Sequence, residues 1–295
     1  MSGPGLQTTA AERTRERGAE LLRLALIFGL PAVFIVIPLV TFLIYSFWRV
    51  EDGQLVREFG LGNYVEFLRS DSYRFVFGRT LFMSLQVTAI NLVLGYAAAL
   101  FISQRRGRTK YLMVLALIVP LLMSYIIKIY AMRGLLGTNG QLNQLLMAIG
   151  LLSEPSDLFL FNLTAVRITL SVVLLPFMIL PIFVALERIP ASFLHASADL
   201  GASPWQTFRL VTLPMSLPGA VAGAMFCYVL ASGDFLAPEL VGGTRGFTYG
   251  RAVFSQFGMA FNWPFGAALS VILLGVAMSV ILLAGRLARS RWADR

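Results

Sequence analysis

The chain has 295 residues, 57% of them hydrophobic and only 13% charged, where soluble domains carry about 25% charge. Several apolar stretches reach about 20 residues, enough to cross the hydrocarbon core of a bilayer as a helix. A soluble globular fold is thereby excluded. An all-α integral membrane protein with about six spans is predicted.

The net charge of +9 does not describe a nucleic-acid-binding surface, because its distribution follows the spans. Basic residues stand beside span ends at Arg13, Arg15, Arg17 and Arg23, at Arg105, Arg106, Arg108 and Lys110, and at Arg286, Arg289 and Arg291. Acidic residues occupy the other set of loops, at Glu51, Asp52, Glu58, Glu66, Asp71, Glu154 and Asp157. This positive-inside asymmetry predicts both termini in the cytoplasm.

In chain order, residues 1–18 read as a flexible cytoplasmic tail and 19–295 as a single transmembrane domain. The apolar run after the tail is too long for a cleaved signal and has no clear small-residue cleavage site. Spans are expected over 24–48, 75–103, 111–135, 163–186, 215–236 and 264–287. Loops 104–110 and 187–214 then lie inside, and 49–74, 136–162 and 237–263 outside. No internal repeat and no broken half-helix is visible in the sequence. Gly95 with Ala99, and Gly219 with Gly223, supply small-xxx-small faces for close helix packing.

The polar loop 187–214 carries strong local signals. Pro190 suits the first turn of a short helix, and Gly201 suits its left-handed C-cap. Ser203 offers an N-cap, Pro204 the first helical position, and Pro214 the close of a second helix.

Catalytic signals are absent. No lysine follows a glycine, which excludes a phosphate loop: Lys110 follows Thr109 and Lys128 follows Ile127. The only histidine, His195, has Ser197 and Asp199 nearby, but residues two apart on a helix do not face each other. Asn162-Leu163-Thr164 abuts a span and reads as incidental. The single cysteine, Cys227, lies in the fifth span as a packing residue. No catalytic residue, cofactor site or metal site is expected.

Other residues are candidates for a passage through the membrane. A carboxylate near the outer end of a span needs water, a partner or a cation, which singles out Asp234, with Glu239 beside it. Tyr45, Trp48, Tyr125 and Tyr130 are suited to holding ammonium groups by cation–π contact, or to an interfacial belt. Lys128, in an apolar run, would repel a cation unless paired, and would suit an anionic or zwitterionic solute. Asp234 has the structural alternative of pairing with Lys128, Arg133 or Arg167.

The run His195-Ala196-Ser197, Ala198-Asp199-Leu200, Gly201, ending in Val211-Thr212-Leu213-Pro214, resembles the EAA loop of ATP-binding-cassette (ABC) importer permeases. The resemblance implies a type I importer fold in a bacterial inner (cytoplasmic) membrane. It also implies a loop helix docked in a groove on a separate ATPase. Phe193, Leu194, His195, Ala196, Ser197, Asp199, Gly201, Ala202 and Arg209 are the implied coupling residues. His195 stands where the family has glutamate. Ser232-Gly233-Asp234-Phe235, Pro238 to Gly243, and the stretch from Val119 to Gly140 resemble the first permease subunit of spermidine/putrescine-type importers. The implied complex has two related permeases, two ATPase subunits that bind ATP and Mg, and an external substrate-binding protein. Alternatives are another small solute (amino-acid-like or a small anion) or a self-sufficient secondary transporter, which broken half-helices and inverted repeats would favour.

Overall fold

The computed structural model describes residues 23 and 25–293. The expected tail over 1–18, with Arg13, Arg15 and Arg17, lies outside the described residues, as do the side chains of Arg289 and Arg291. Among the described residues, five helices are long and apolar enough to span a membrane, and a sixth span exists if one sharply bent pair is counted.

A π-helical turn, Ala25–Gly29, leads into α1, Leu30–Tyr45. Residues 31–44 are all exposed. A helix apolar on every side and unburied by its own chain presents itself to lipid or to another subunit. A short antiparallel hairpin follows, β1 (Arg49–Glu51) and β2 (Gln54–Val56), with Asp52 and Gly53 at positive φ in its turn. The following helix, α2 (Gly62–Arg69), is pinned to the end of α1. The Asn63 Nδ2 group donates to the carbonyls of Ser46 at 2.8 Å and Trp48 at 2.7 Å.

The second span, α3 (Asp71–Ser103), begins four residues before the expected start because Ser70 serves as its N-cap. The expected third span over 111–135 is not one helix. It is α4 (Gly107–Leu122) and α5 (Tyr125–Leu136), with a 99° bend at the break. Pro120 removes one backbone donor from the last turn of α4, and Met123 and Ser124 then take extended conformations. A break of the kind read as absent from the sequence is therefore present, as a broken span or a re-entrant loop. A short helix, α6 (Gln141–Ala148), is tied down by buried Asn143, which donates to the carbonyls of Gly137, Thr138 and Ser156.

The fourth span, α7 (Leu163–Glu187), is N-capped by Asn162, whose Oδ1 accepts from the Ala165 amide at 2.9 Å. The polar loop supplies α8 (Ala191–Asp199) and α9 (Pro204–Thr207). Pro214 does not close a second helix as expected. A π-helical segment, Phe208–Thr212, carries α9 directly into α10 (Leu213–Gly233), so 204–233 is one continuous helical run. The Leu213 amide reaches back to the Phe208 carbonyl, and this wider turn admits the proline that an α-helical turn would resist. After a π turn at Pro238–Gly242 come α11 (Tyr249–Gly258) and α12 (Trp263–Ala293). Phe42 of α1 meets Phe257 edge-on at 5.8 Å, which helps hold α1 to this end of the chain.

The main core lies where α3, α7 and α10 pack together. Both expected small-residue pairs lie in it. A Cβ on Gly95 would fall 2.6 Å from Met178 Cγ, and one on Gly223 would fall 2.8 Å from Met178 Sδ. Fully buried Met178 thus fills the space left by two glycines on different helices. A Cβ on Gly219 would lie 2.4 Å from the Pro181 carbonyl oxygen. Cys227 is buried in the same core, with its Sγ 3.6 Å from the Leu174 carbonyl oxygen.

These contacts order three substitutions. Gly219→Ala forces a methyl against backbone and destabilises by about 1–3 kcal/mol. Gly95→Ala meets side-chain atoms only, those of Met178 and Ile179, and costs less because side chains yield more readily than backbone. Gly275→Ala, with open space around it, is neutral or mildly stabilising through helix propensity. Thermal unfolding of the purified protein in detergent checks the order, and a Gly95→Ala variant worse than Gly219→Ala would refute the backbone contact as the limiting one.

Candidate functional site

Two groups of candidate residues are assembled by different parts of the fold. The first is the loop between α7 and α10. Pro190 takes the N-cap position of α8, one residue earlier than expected. The end of α8 is a Schellman motif. The Ala202 amide bonds the Ser197 carbonyl at 3.1 Å, and the Gly201 amide bonds the Ala198 carbonyl at 2.9 Å. Gly201 has φ of +78°, and nothing lies within 4 Å of where a Cβ would stand, so glycine is required by backbone conformation and not by space. Ser203 and Gln206 then form a capping box that starts α9.

The loop's side chains divide into inward and outward sets. Ser197 is buried, and its hydroxyl is 2.7 Å from that of Thr207, so it fastens α8 to α9 and does not face outward with its neighbours. Phe193, Leu194, His195, Ala196, Asp199, Gly201 and Arg209 are exposed, and Ala202 is half-buried. Three further large apolar side chains, not singled out from the sequence, stand exposed on this loop: Leu200 at 88%, Trp205 at 66% and Leu210 at 67%. An exposed tryptophan in a polar stretch was the available signal for the second.

Trp205 also begins an aromatic path into the membrane domain. It stacks on Phe208 at 5.4 Å, and Phe208 meets Tyr96 of α3 edge-on at 5.8 Å. The Tyr96 hydroxyl lies 2.6 Å from Ser216 Oγ on α10. At the other end of the loop, Lys110 of α4 forms a 2.5 Å ion pair with Glu187, the last residue of α7.

The second group surrounds Asp234, which leaves the helix at the C-cap of α10. A carboxylate there opposes the negative end of the helix dipole and needs compensation. The Tyr125 hydroxyl and the Ala237 amide both donate to it, the latter at 2.8 Å. Lys128 lies one turn further along α5, its Nζ 5.5 Å from the Tyr125 ring centroid. Tyr125 therefore holds a carboxylate at its hydroxyl and an ammonium over its ring. Gly250 lets α11 pass close behind, since a Cβ there would lie 2.5 Å from the Asp234 carbonyl oxygen.

The other candidates do not join this cluster. Among the described residues Asp234 makes no ion pair, so the alternative of a structural pair with Lys128, Arg133 or Arg167 is not realised. Glu239 instead pairs with Arg251 at 2.5 Å, and Arg251 also bonds the Gly243 carbonyl at 2.6 Å. Tyr130 is exposed. Tyr45 and Trp48 pack together at 4.7 Å near the end of α1, where the Arg57 guanidinium already lies over the Trp48 ring. Among the described residues no group of histidine, cysteine, aspartate and glutamate is arranged to hold a metal ion.

Comparison with known proteins agrees with this architecture. Residues 11–292 match the family described as binding-protein-dependent transport system inner membrane component. The spermidine/putrescine transport system permease protein PotB of Salmonella typhimurium is 34% identical over 272 residues, covering 91% of this chain and 94% of that protein. PotB of Haemophilus influenzae is 35% identical, covering 85% of this chain and 87% of that one. Among solved structures, a bacterial alginate ABC transporter in complex with its pentasaccharide-bound periplasmic protein superposes with a TM-score of 0.75. It is 16% identical and covers 95% of this chain and 96% of that chain, a likeness of fold. With spans, loop and sequence in agreement, the chain belongs to the binding-protein-dependent transport system inner membrane components, as a multi-pass permease subunit of an ABC importer.

Proposed function

We propose that this permease moves spermidine, putrescine or a closely related polyamine into the cell, powered by ATP hydrolysed on separate subunits. The observation that carries the coupling part is the loop itself: a rigid pair of turns fused without interruption to the membrane-crossing run 204–233. The cargo part is supported by relatives named for spermidine and putrescine that align over about nine-tenths of the chain.

In this reading, residues 187–214 and both termini face the cytoplasm. Two ATP-binding-cassette subunits, a second related permease, and an external binding protein complete the complex. ATP and Mg reside on the partner ATPases, and this chain contributes no catalytic group. Phe193, Leu200 and Trp205 give the loop an apolar face for the ATPase groove, which offsets the replacement of the family glutamate by His195. Nucleotide-dependent contacts move α8, and the path through Trp205, Phe208 and Tyr96 passes that movement to α3 and α10. Such contacts shift the equilibrium between inward-open and outward-open forms only by binding one form better.

Asp234 would be the cation-binding carboxylate on the path. Tyr125 holds it in place and adds a ring face, where cation–π contact is worth about 0.5–2 kcal/mol. A second reading has one observation in its favour. Lys128 shares the Tyr125 ring with no carboxylate in contact, which suits a zwitterionic, amino-acid-like cargo.

Three measurements on the assembled transporter in proteoliposomes test these assignments. Gly201→Pro cannot adopt the left-handed cap, so it abolishes uptake and cargo-stimulated ATP hydrolysis while membrane insertion persists. Normal stimulated hydrolysis in that variant would sink the coupling role. Asp234→Asn raises the KM for spermidine uptake about tenfold, equivalent to about 1.4 kcal/mol lost from a charge-assisted contact. Lys128→Met leaves spermidine uptake intact or improves it, whereas uptake of an amino acid in place of spermidine, abolished by Lys128→Met, would favour the zwitterion.

A further inference from the structure

The cytoplasmic-side helix α4 is attached to the rest of the chain in an unusual way. None of its residues is buried, although it is sixteen residues of mostly apolar sequence. Between its first half and the end of α7 lies a cleft of about 380 Å³. Val114, Leu115 and Ile118 line one side, Phe183 the other, and Lys110 and Glu187 stand at one end. Lys110 sits 2.5 Å from the Glu187 carboxylate and 5.7 Å from the Phe183 ring centroid. An ammonium has three donors, so one partner leaves capacity for another acceptor.

The charge around that end has one sign in excess. Arg105, Arg106 and Arg108 precede Lys110 within six residues, and all three arginines are exposed. Helix α4 starts among them with no side-chain cap on its first amides, which leaves those donors for an acceptor outside the helix. Lys110 is already paired with Glu187 and Arg105 lies over the Phe101 ring, so Arg106 and Arg108 supply the excess charge, and apolar walls beside them match a molecule with an anionic head and a hydrocarbon tail. Basic pockets between spans on the cytoplasmic side are suited to anionic lipid headgroups.

From this we infer that the cleft between α4 and α7 is a binding site for an anionic phospholipid. Its phosphate is met by Lys110, Arg106 and Arg108, and one acyl chain lies against Val114, Leu115, Ile118 and Phe183. A second permease subunit is the poorer occupant, because a related chain carrying the same cytoplasmic bias would bring positive charge to positive charge. The lipid would wedge α4 against α7 immediately before the loop that starts at Arg188. The inference rests on the cytoplasmic placement of this end proposed above, but on neither the cargo nor the coupling contacts, so its failure would leave both standing.

The test uses the assembled transporter with a benzophenone side chain introduced at Leu115. It is reconstituted in phosphatidylcholine containing a minority of phosphatidylglycerol, irradiated, and its adducts are identified by mass spectrometry. Phosphatidylglycerol is expected among the adducts several-fold above its share of the bilayer. Arg106→Gln with Arg108→Gln, which leaves the Lys110–Glu187 pair intact, lowers that enrichment while total lipid capture persists. Lys110→Arg keeps the enrichment, and Ile118→Trp reduces capture of both lipids by filling the cleft. Adducts in bulk proportion would mean boundary lipid only and would overturn the site. So would capture of a peptide from the second permease, or loss of the enrichment when soluble glycerol phosphate is added.

Discussion

The central block of three helices is built around Met178 wedged between two glycines. Gly95 and Gly223 leave no side chain of their own, and Met178 occupies both spaces from the facing helix. Lipid offers no hydrophobic gain for joining one apolar helix to another, so van der Waals fit must do most of the holding. A fit of this kind also fixes register, because sliding α7 by one residue drives the methionine into a neighbouring turn. One turn further toward the loop, Gly219 brings α10 against the Pro181 backbone. The three central helices therefore form a block that moves as a whole or scarcely moves.

Under the proposed function, the loop gains its mechanical meaning from that block. Both of its ends run into the block's own helices, at Glu187 of α7 and at the π segment that opens α10. Its interior is closed by the Ser197–Thr207 contact, the Schellman motif and the capping box. A displacement applied to α8 has no slack linker in which to dissipate. By contrast α1 is exposed over residues 31–44, and no residue of α4 is buried. A rigid centre with loosely held outer helices is the distribution expected where one part transmits movement and another accommodates it.

Much of this was legible in the sequence because it is local. Span composition, the left-handed cap at Gly201, the Ser203 cap and the small-residue faces each follow from a few neighbouring residues. What was missed depends on distant partners or on competition between weak signals. Pro214 reads as a helix stop by its own chemistry, and only the wider π turn before it allows the helix to continue. Pro120 lies in a run apolar enough to pass for one span, and no glycine marks the break that follows it. The pairing of Glu239 with Arg251, and of Lys110 with Glu187 across 77 positions, cannot be read from composition. Ser197 looked outward beside two alanines because its partner, Thr207, lies beyond a turn.

The arrangement at Asp234 shows why a carboxylate can be both held and left available. A guanidinium or ammonium partner would have cancelled its charge and ended its usefulness to a cation. Here the contacts that orient it are a phenol hydroxyl and the backbone amides of Leu236 and Ala237, which stabilise an anion through dipoles without adding a positive charge. The nearby ammonium of Lys128 is kept on the ring face of Tyr125, away from direct pairing with the carboxylate. Under the proposed function, a cation reaching this point meets a negative charge that has been positioned but not neutralised. The break between α4 and α5 is what places Tyr125 there, so the bent span, illegible in the sequence, is the structural condition for the site.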